Sequence, residues 1–567
     1  RESPTRRESP TRRESPTRRE SRMMSVRAGE AWKVWTSALL FGLAFAGCKS
    51  SADYRAEADE AVYALVDGER GELFDLPPGF TIEPPEGSLR ERLIGGERIE
   101  RSLTLVELLE IASENSREYQ DQKEALYRSA LALTRETWEF ETQGFGSAVA
   151  AVDGEGTEAD VVAGGASGGL MRALGTGGTI VASLGTSLFR VVSTGDGWDA
   201  MSDISLAFTQ PLLRGAGKQI ALEPLTQAER NLVYEVRDFE RFRRAFAVTV
   251  ARQMYALLES TDALGNEREN LASLTRLRER NESLAEAGRL SDVEADQASQ
   301  RVLTSQNRLL QLRGRLGTQT DEFKLFLGLP MSADVHVDPR EFERLTDEDP
   351  LLDGLAPERP IDLALANRLD LRTTLDELED RERQAFVLED ALRAGLALVI
   401  EANSATDEGQ PVRFKKKNTD WSLGLALDLP IERLIERNAW RSSLIALEAQ
   451  ERAVEELSDQ IQLEIRNDVR DVADTRASYV IQLGAVTLAE RRVESAALML
   501  QAGRAETRDL LDAQADLLDA QNAATRALIT LTLTRLDFYL DMELLRIDED
   551  GIHIDESLAS VLTEEDQ

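Results

Sequence analysis

The apolar positions of this chain fall into two long stretches with helical period, separated by short stretches that alternate. Between 431 and 501, Val454, Leu457, Ile461, Ile465, Val469 and Val472 recur every three or four positions, with no proline and one internal glycine, Gly484. A mean spacing near 3.6 predicts a straight α-helix rather than a heptad supercoil. A counterpart runs from 218 to 287, where Pro224 is tolerable only near the start. At 1.5 Å per residue, each would be roughly 105 Å long. Four other helical stretches, 105–138, 292–327, 361–393 and 509–545, are about half that length. An incoming and an outgoing short helix, stacked end to end, match one long helix. The pattern therefore predicts a bundle whose chain reverses at Gly288 and Gly503, residues that accept the left-handed backbone of a helix end.

At the other end of each long helix the period drops to two. Candidate strands are 139–152, 178–192 and 202–210 before the first long helix, and 395–402 and 419–429 before the second. The glycine-rich stretch between the first two, 153–178, reads as an extended loop. Trp138, Trp198, Trp421 and Trp440 flank these segments, as an interfacial aromatic belt would. Four or five strands cannot close a barrel, and an open edge cannot face lipid, so transmembrane strands would require oligomerisation.

The order of elements occurs twice. Residues 284–297 (LAEAGRLSDVEADQ) and 498–514 (LMLQAGRAETRDLLDAQ) both place Ala-Gly-Arg before an Asp-containing helix start. Residues 205–214 (SLAFTQPLLR) and 422–433 (SLGLALDLPIER) both run from alternating apolar positions into a proline, Pro211 or Pro430. The fold class expected is mainly α with a β part, built from two repeats.

The first residues stand outside that unit. Residues 1–22 repeat Arg-Glu-Ser-Pro-Thr-Arg and could build no core. From Met23 a basic stretch with Arg27 and Lys33 precedes the apolar run 36–46 (TSALLFGLAFA), long enough for a secretory signal and too short to span a bilayer. It ends at Ala46-Gly47-Cys48, which resembles a bacterial lipobox. That resemblance implies cleavage before Cys48 and a lipid on its sulfur, and Lys49 in the next position implies transfer to the outer membrane.

Charge and composition narrow the chemistry. With 103 acidic and 67 basic side chains the 567 residues carry a net charge of -36. Loss of residues 1–47, with ten basic and five acidic groups, would bring this to -41. Such a polyanion repels nucleic acid. One cysteine excludes an internal disulfide, and two distant histidines, His336 and His553, offer no metal site. No catalytic triad or phosphate-binding glycine loop can be assembled, so neither an enzyme nor a cofactor is expected. A non-channel coiled-coil adaptor or structural lipoprotein remains the rival; an adaptor would show one helical hairpin between β-rich halves rather than two equal units.

Four motifs, in order, carry a resemblance to the TolC-type outer-membrane efflux protein family over 103–545. Leu103-Thr104-Leu105-Val106-Glu107-Leu108-Leu109 with Glu114-Asn115 is similar to the family's opening L-T-L-x-E-A-L and E-N-N-P. Thr209-Gln210-Pro211-Leu212-Leu213-Arg214-Gly215 is close to T-Q-P-L-L-R-G. Phe326-Leu327-Gly328-Leu329-Pro330 resembles L-L-G-L-P, and Ala366-Asn367-Arg368-Leu369-Asp370-Leu371-Arg372 resembles A-N-R-P-D-L-R with leucine for proline. The resemblance implies a homotrimer in the outer membrane, each protomer giving four strands to a twelve-stranded barrel continued by a twelve-helix periplasmic tunnel. It also implies partners, a periplasmic adaptor and an inner-membrane transporter, with Gly288, Arg289, Gly503 and Arg504 at hairpin tips that meet the adaptor. Asp509-Leu510-Leu511-Asp512-Ala513 resembles D-V-L-D-A, which implies that Asp509 and Asp512 line a periplasmic gate, with Asp292 as the matching acid of the first repeat. The alternative for these carboxylates is stabilisation of a helix N-terminus.

The expected organisation is a low-complexity stretch 1–22, a signal peptide 23–47, a lipidated extension 48–100, a first repeat 101–330, a linker 331–360, a second repeat 361–547 and an acidic tail 548–567. Pro211, Gly215 and Pro430 mark strand-to-helix junctions.

Overall fold

Local hydrogen-bonding chemistry decides where the elements start and stop. A computed structural model describes residues 49–559 except 86, 100, 156–157, 192–196, 346–351, 353–354, 549–550 and 556–557; the signal segment and Cys48 lie outside the described residues. The chain divides into two compact units, 1–62 and 63–567. Of the first, 49–62 are described, and there the Ser50 amide donates to Asp53 Oδ2 (2.9 Å) at the start of α1 (Ser51–Phe74).

In the second unit the helices are α2 (Leu89–Ile94), α3 (Leu105–Asn115), α4 (Arg117–Glu139), α5 (Lys218–Ala221), α6 (Glu223–Glu286), α7 (Asp292–Phe326), α8 (Arg340–Glu343), α9 (Glu358–Asn367), α10 (Leu369–Asp390), α11 (Leu434–Gln501) and α12 (Thr507–Asp541). The two long helices, α6 with 64 residues and α11 with 68, stand where the periodicity places them. At α3 the L-T-L-V-E motif is a capping box: the Thr104 amide donates to Glu107 Oε2 (2.9 Å), and the Glu107 amide returns a bond to Thr104 Oγ1 (3.4 Å).

The helical stretches 105–138 and 361–393 are each broken once, at Ser116 and at Arg368. Both breaks adopt extended ψ, 133° and 122°, which ends the helical hydrogen-bond ladder and restarts it a residue later. The two breaks sit at equivalent places in the two repeats.

Two buried clusters hold the helices together. One joins Leu108 and Ile111 of α3 to Val250 and Met254 of α6 and Phe323 of α7; the other joins Ile361 of α9 to Ile461 and Ile465 of α11 and Phe538 of α12. Each buried large side chain contributes about 1.5–3 kcal/mol. Helix α6 packs against α3, α4, α7, α10 and α12, whereas α11 packs against α9, α10 and α12. The helical wall of one chain thus has two borders, α4 with α7 on one side and α11 on the other. Both borders carry exposed apolar stripes: Leu303, Leu310 and Leu325 on α7, and Leu463, Ile481, Leu488 and Met499 on α11. The α11 offsets of 18, 25 and 36 residues are close to whole helical turns, so these side chains share one face.

The β part corrects two expectations. Strands β1 (Gln143–Glu155), β2 (Glu158–Ala173), β3 (Thr179–Val191), β4 (Asp199–Pro211), β5 (Gly395–Thr406) and β6 (Phe414–Asp428) form one antiparallel sheet in chain order. The stretch 153–178 is not a loop. Most of it is β2, paired with β1 from Gln143–Met171 to Glu155–Glu158 and with β3 over 13 residue pairs. Its glycines and alanines hide the strand from an alternation test, because residues without large side chains have no visible period. Among the described residues this sheet has six strands, where the resemblance implies four per protomer. A separate hairpin, β7 (Leu545–Asp548) and β8 (Gly551–Ile554), packs on α3 and α6.

Register sorts the sheet into two faces. Leu423, Leu425 and Leu427 of β6 align with Ile400, Leu398 and Leu396 of β5; Ile400 continues the row to Phe208 of β4, and on the same face Trp421 and Ala402 continue to Leu206. The opposite face carries Asp203, Ser205, Asn403, Glu401 and Ser422. On that face Ser183 and Ser205 bond across strands at 2.5 Å, and Ser147 and Ser167 at 2.9 Å. No helix among the described residues is long and apolar enough to cross a membrane.

Candidate channel gate and strand-to-helix junctions

Both hairpin tips are built alike. Gly288 and Gly503 have φ of 70° and 68°, the left-handed conformation glycine enters without a Cβ penalty. The Arg289 amide donates to the Leu284 carbonyl and the Arg504 amide to the Met499 carbonyl, both at 2.8 Å, closing the same helix-ending motif twice. Arg289 and Arg504 are exposed.

From these tips α7 and α12 start with different caps. Ser291 and Glu294 form a capping box on α7, leaving Asp292 exposed at the first helical position. On α12 the box is Glu506 with Asp509, whose Oδ2 accepts the Glu506 amide at 3.0 Å. Asp509 thus serves the helix-start role. Asp512, one turn on, is ion-paired with Arg301 Nη2 of α7 (3.0 Å) and Arg508 Nε (3.6 Å). Leu510 and Leu511, between the two acids, are buried against Leu274, Leu277 and Val302. The spacing of three does place both carboxylates away from the core on one side of α12.

The sequence reading passed over Arg301. A signal for it exists: Arg301 and Arg308 are seven apart on α7, Asp512 and Asp519 seven apart on α12, and the Arg308 to Asp519 distance is 3.5 Å. Two equal heptad steps of opposite charge mark facing helices. These pairs are about half exposed, and such pairs contribute only about 0–1 kcal/mol each. Farther along α11, burial pushes the Asp468 carboxyl up to about 7, reinforced by the charges of Asp541 and Glu464. Asp541 itself is held at about 6, raised by burial against the opposing pull of Arg368.

The junction motifs also resolve into contacts. Gln210 exchanges hydrogen bonds with Thr176, as acceptor for its hydroxyl (2.8 Å) and donor to its carbonyl (3.0 Å), pinning the β2–β3 turn to the end of β4. Pro211 closes β4; Gly215, with φ of 77°, donates its amide to Asp390 Oδ2 (2.7 Å), and Arg214 pairs with Asp428 (2.6 Å) just before Pro430. The two repeats are thus tied where strands become helices. Arg368 of the A-N-R motif, 4% exposed, grips Asp370 through two bonds (2.8 and 3.1 Å) and Glu464 through a third (2.6 Å).

The tryptophans do not share one end of the sheet. Trp138 closes α4 at the helical end, Trp198 precedes β4 at the distal end, and Trp440 lies in α11. Trp421, expected beside a strand end, is in the middle of β6, paired with Ala402 and 77% exposed in line with the leucine row.

No protein-family model and no curated protein sequence matches the chain. Solved structures do. It is similar to the outer membrane protein VceC from Vibrio cholerae, at 16% identity over 76% of this chain and 94% of that one, with a TM-score of 0.56. The outer membrane channel CmeC from Campylobacter jejuni is 13% identical over 77% and 85%, with a TM-score of 0.55. The open state of the outer membrane channel MtrE from Neisseria gonorrhoeae is 14% identical over 77% and 88%, with a TM-score of 0.54. Two repeats of long antiparallel helices joined to an antiparallel sheet thus give this chain the fold of the TolC-type outer-membrane channels.

Proposed function

We propose that the chain is the outer-membrane exit duct of a tripartite efflux or type I secretion system, a passive homotrimeric tunnel through the outer membrane and periplasm. The observation that carries this reading is the sheet: an apolar face, a polar face, and two unpaired edges in line with the apolar borders of the helical wall. Such a sheet is stable in lipid only when closed, with its polar face on a water-filled lumen. The rival adaptor architecture would need one helical hairpin, and the chain has two.

In this reading the tips at Gly288, Arg289, Gly503 and Arg504 meet a periplasmic adaptor, which couples the duct to an inner-membrane transporter. Asp509, Asp512 and Asp292 surround the periplasmic mouth, where rings of carboxylates favour cations. The Arg301–Asp512 pair holds the two hairpins of one chain together in the resting state. Purified protein in planar bilayers is expected to give discrete, cation-preferring conductance steps that multivalent cations block. The Asp509→Ala, Asp512→Ala double variant is expected to lose that block and to raise the resting conductance severalfold. Unchanged conductance and block would remove these residues from the gate, and absence of any pore would remove the duct.

Cys48 is proposed as the lipid anchor. A single acyl chain holds a protein marginally, whereas several at one residue anchor it stably. Labelled palmitate is expected on the native chain and absent from Cys48→Ala; label retained by the variant would overturn the anchor.

A further inference from the structure

We propose that this sheet closes between copies of the chain by pairing β6 of one protomer with β1 of the next, so that three chains build an eighteen-stranded barrel. The proposal rests on the exit-duct reading above for the number of chains. It departs from the twelve strands that the resemblance implies.

Strand direction permits this closure. β1 leaves the helical end of the sheet and β6 returns to it, so β6 beside a neighbour's β1 continues the antiparallel order found at each of the five internal pairings. The lengths agree, 13 residues against 15. Both strands leave one edge of main-chain donors and acceptors unpaired within the chain, a cost of several kcal/mol per group in hydrocarbon.

Side-chain size is complementary across the joint. On the apolar face β6 presents Trp421, Leu423 and Leu425, while the positions of β1 on that face are Gly144, Gly146 and Ala148. Large side chains on one edge and almost none on the other let the two strands approach. At the distal end the basic run Lys415, Lys416 and Lys417 of β6 would stand near Asp153 of β1.

The helices carry the same joint downward. β1 is fed by α4, which shares one border of the helical wall with the striped α7, and β6 feeds α11, the striped border on the other side. One rotation therefore closes sheet and wall together.

The diameter also matches. Three chains with four helical columns each, spaced about 8–10 Å, form a ring about 35 Å across. Eighteen strands spaced about 4.8 Å and tilted about 40° form a barrel about 36 Å across, against about 24 Å for twelve. With β1 and β2 included, the duct passes into the membrane without narrowing. The constriction then lies at the periplasmic tips, not in the barrel.

The test is disulfide trapping in outer membranes. Ser147→Cys on β1 is combined with Ser422→Cys on β6; Phe145→Cys and Val149→Cys replace Ser147→Cys to cover a two-residue slip in register. Four strands separate these edges within one chain, so an oxidised bond joins neighbours. Single-cysteine variants control for Cys48. The expected result is a ladder of covalent dimers and trimers from at least one β1 pair, and none from Ser187→Cys with Ser422→Cys, which would link β3 to β6 if β1 and β2 stood outside the barrel. A ladder from the β3 pair overturns the eighteen-stranded closure and leaves the exit duct standing. No ladder from any pair, in protein that still conducts, overturns it as well. Protein that neither conducts nor forms a ladder overturns the duct reading and the closure with it.

Discussion

Gly328→Ala is expected to destabilise the protein by about 3 kcal/mol or more, while Gly503→Ala costs only about 1 kcal/mol, although the two glycines have nearly the same backbone conformation. Their φ values are 73° and 68°. The difference lies in what a Cβ would meet. At Gly503 nothing lies within 4 Å, so alanine bears only the left-handed penalty. At Gly328 a Cβ would stand 1.9 Å from the Asn115 carbonyl oxygen and 2.6 Å from its carbon. Those are main-chain atoms at the α3–α4 break, held in turn by the Asn115 side chain, which accepts the Arg90 amide at 3.2 Å, and by Arg90 Nη1, which donates to the Gly328 carbonyl. No side chain can rotate away to make room. The chain after α7 must separate from the break in the first repeat, which also disturbs the core around Leu108 and Phe323. Thermal unfolding of the two variants side by side in detergent measures this. Melting points within a degree of each other would show that the close approach at Gly328 is not rigid.

Replacement of Glu543 by alanine is the other large effect, about 3–5 kcal/mol. Glu543 holds in the second repeat the place that Gly328 holds in the first, one residue past the C-cap of the last helix. It has φ of 60°, an uncommon conformation for a residue with a Cβ. Its side chain is 2% exposed and accepts from Arg244 Nη1 (2.6 Å) and Arg241 Nη1 (3.1 Å). Arg241 also bonds Asp370, and Arg244 approaches Glu240. Removal of the buried carboxylate leaves two largely buried guanidinium groups with one negative partner fewer. Glu543→Gly should be milder than Glu543→Ala by about 1 kcal/mol, because glycine relieves the left-handed backbone while losing the same ion pairs. Equal losses in the two variants would show that backbone strain plays no part, and a loss under about 1 kcal/mol in both would show that the arginines find other partners.

This pair of positions shows how far the sequence could be read. The F-L-G-L-P motif drew attention to Gly328, and its equivalence to Glu543 did not. A glycine and a glutamate share no chemistry; what they share is a helix end, visible only once both repeats are folded. The capping box at Thr104 and Glu107 and the reversals at Gly288 and Gly503 were legible because they depend on residues three or four apart. Arg301 with Asp512, and Arg368 with Glu464, depend on residues about a hundred or two hundred positions apart, and the partner of an arginine at that range is chosen by packing. Asp509 could be read either as gate or as helix cap; the folded chain shows it capping α12, and Asp512 as the acid that reaches across to the other hairpin.

The strands divide in the same way. β3 to β6 alternate large apolar with small or polar residues, and their positions followed from that pattern to within a few residues, apart from the first residues of β6. β2 does not alternate, since glycine and alanine occupy both of its faces, and it became a strand because β1 and β3 offer it two ladders of hydrogen bonds. By itself the sequence determined the two long helices, their tips, the repeat and the existence of a sheet, because local periodicity and end-capping chemistry specify these at short range. Only the tertiary structure decided the number of strands, the two unpaired edges they create and the ion pairs between hairpins. Each of those depends on which distant backbone and side-chain groups the fold brings within hydrogen-bonding reach, and short-range pattern does not encode that.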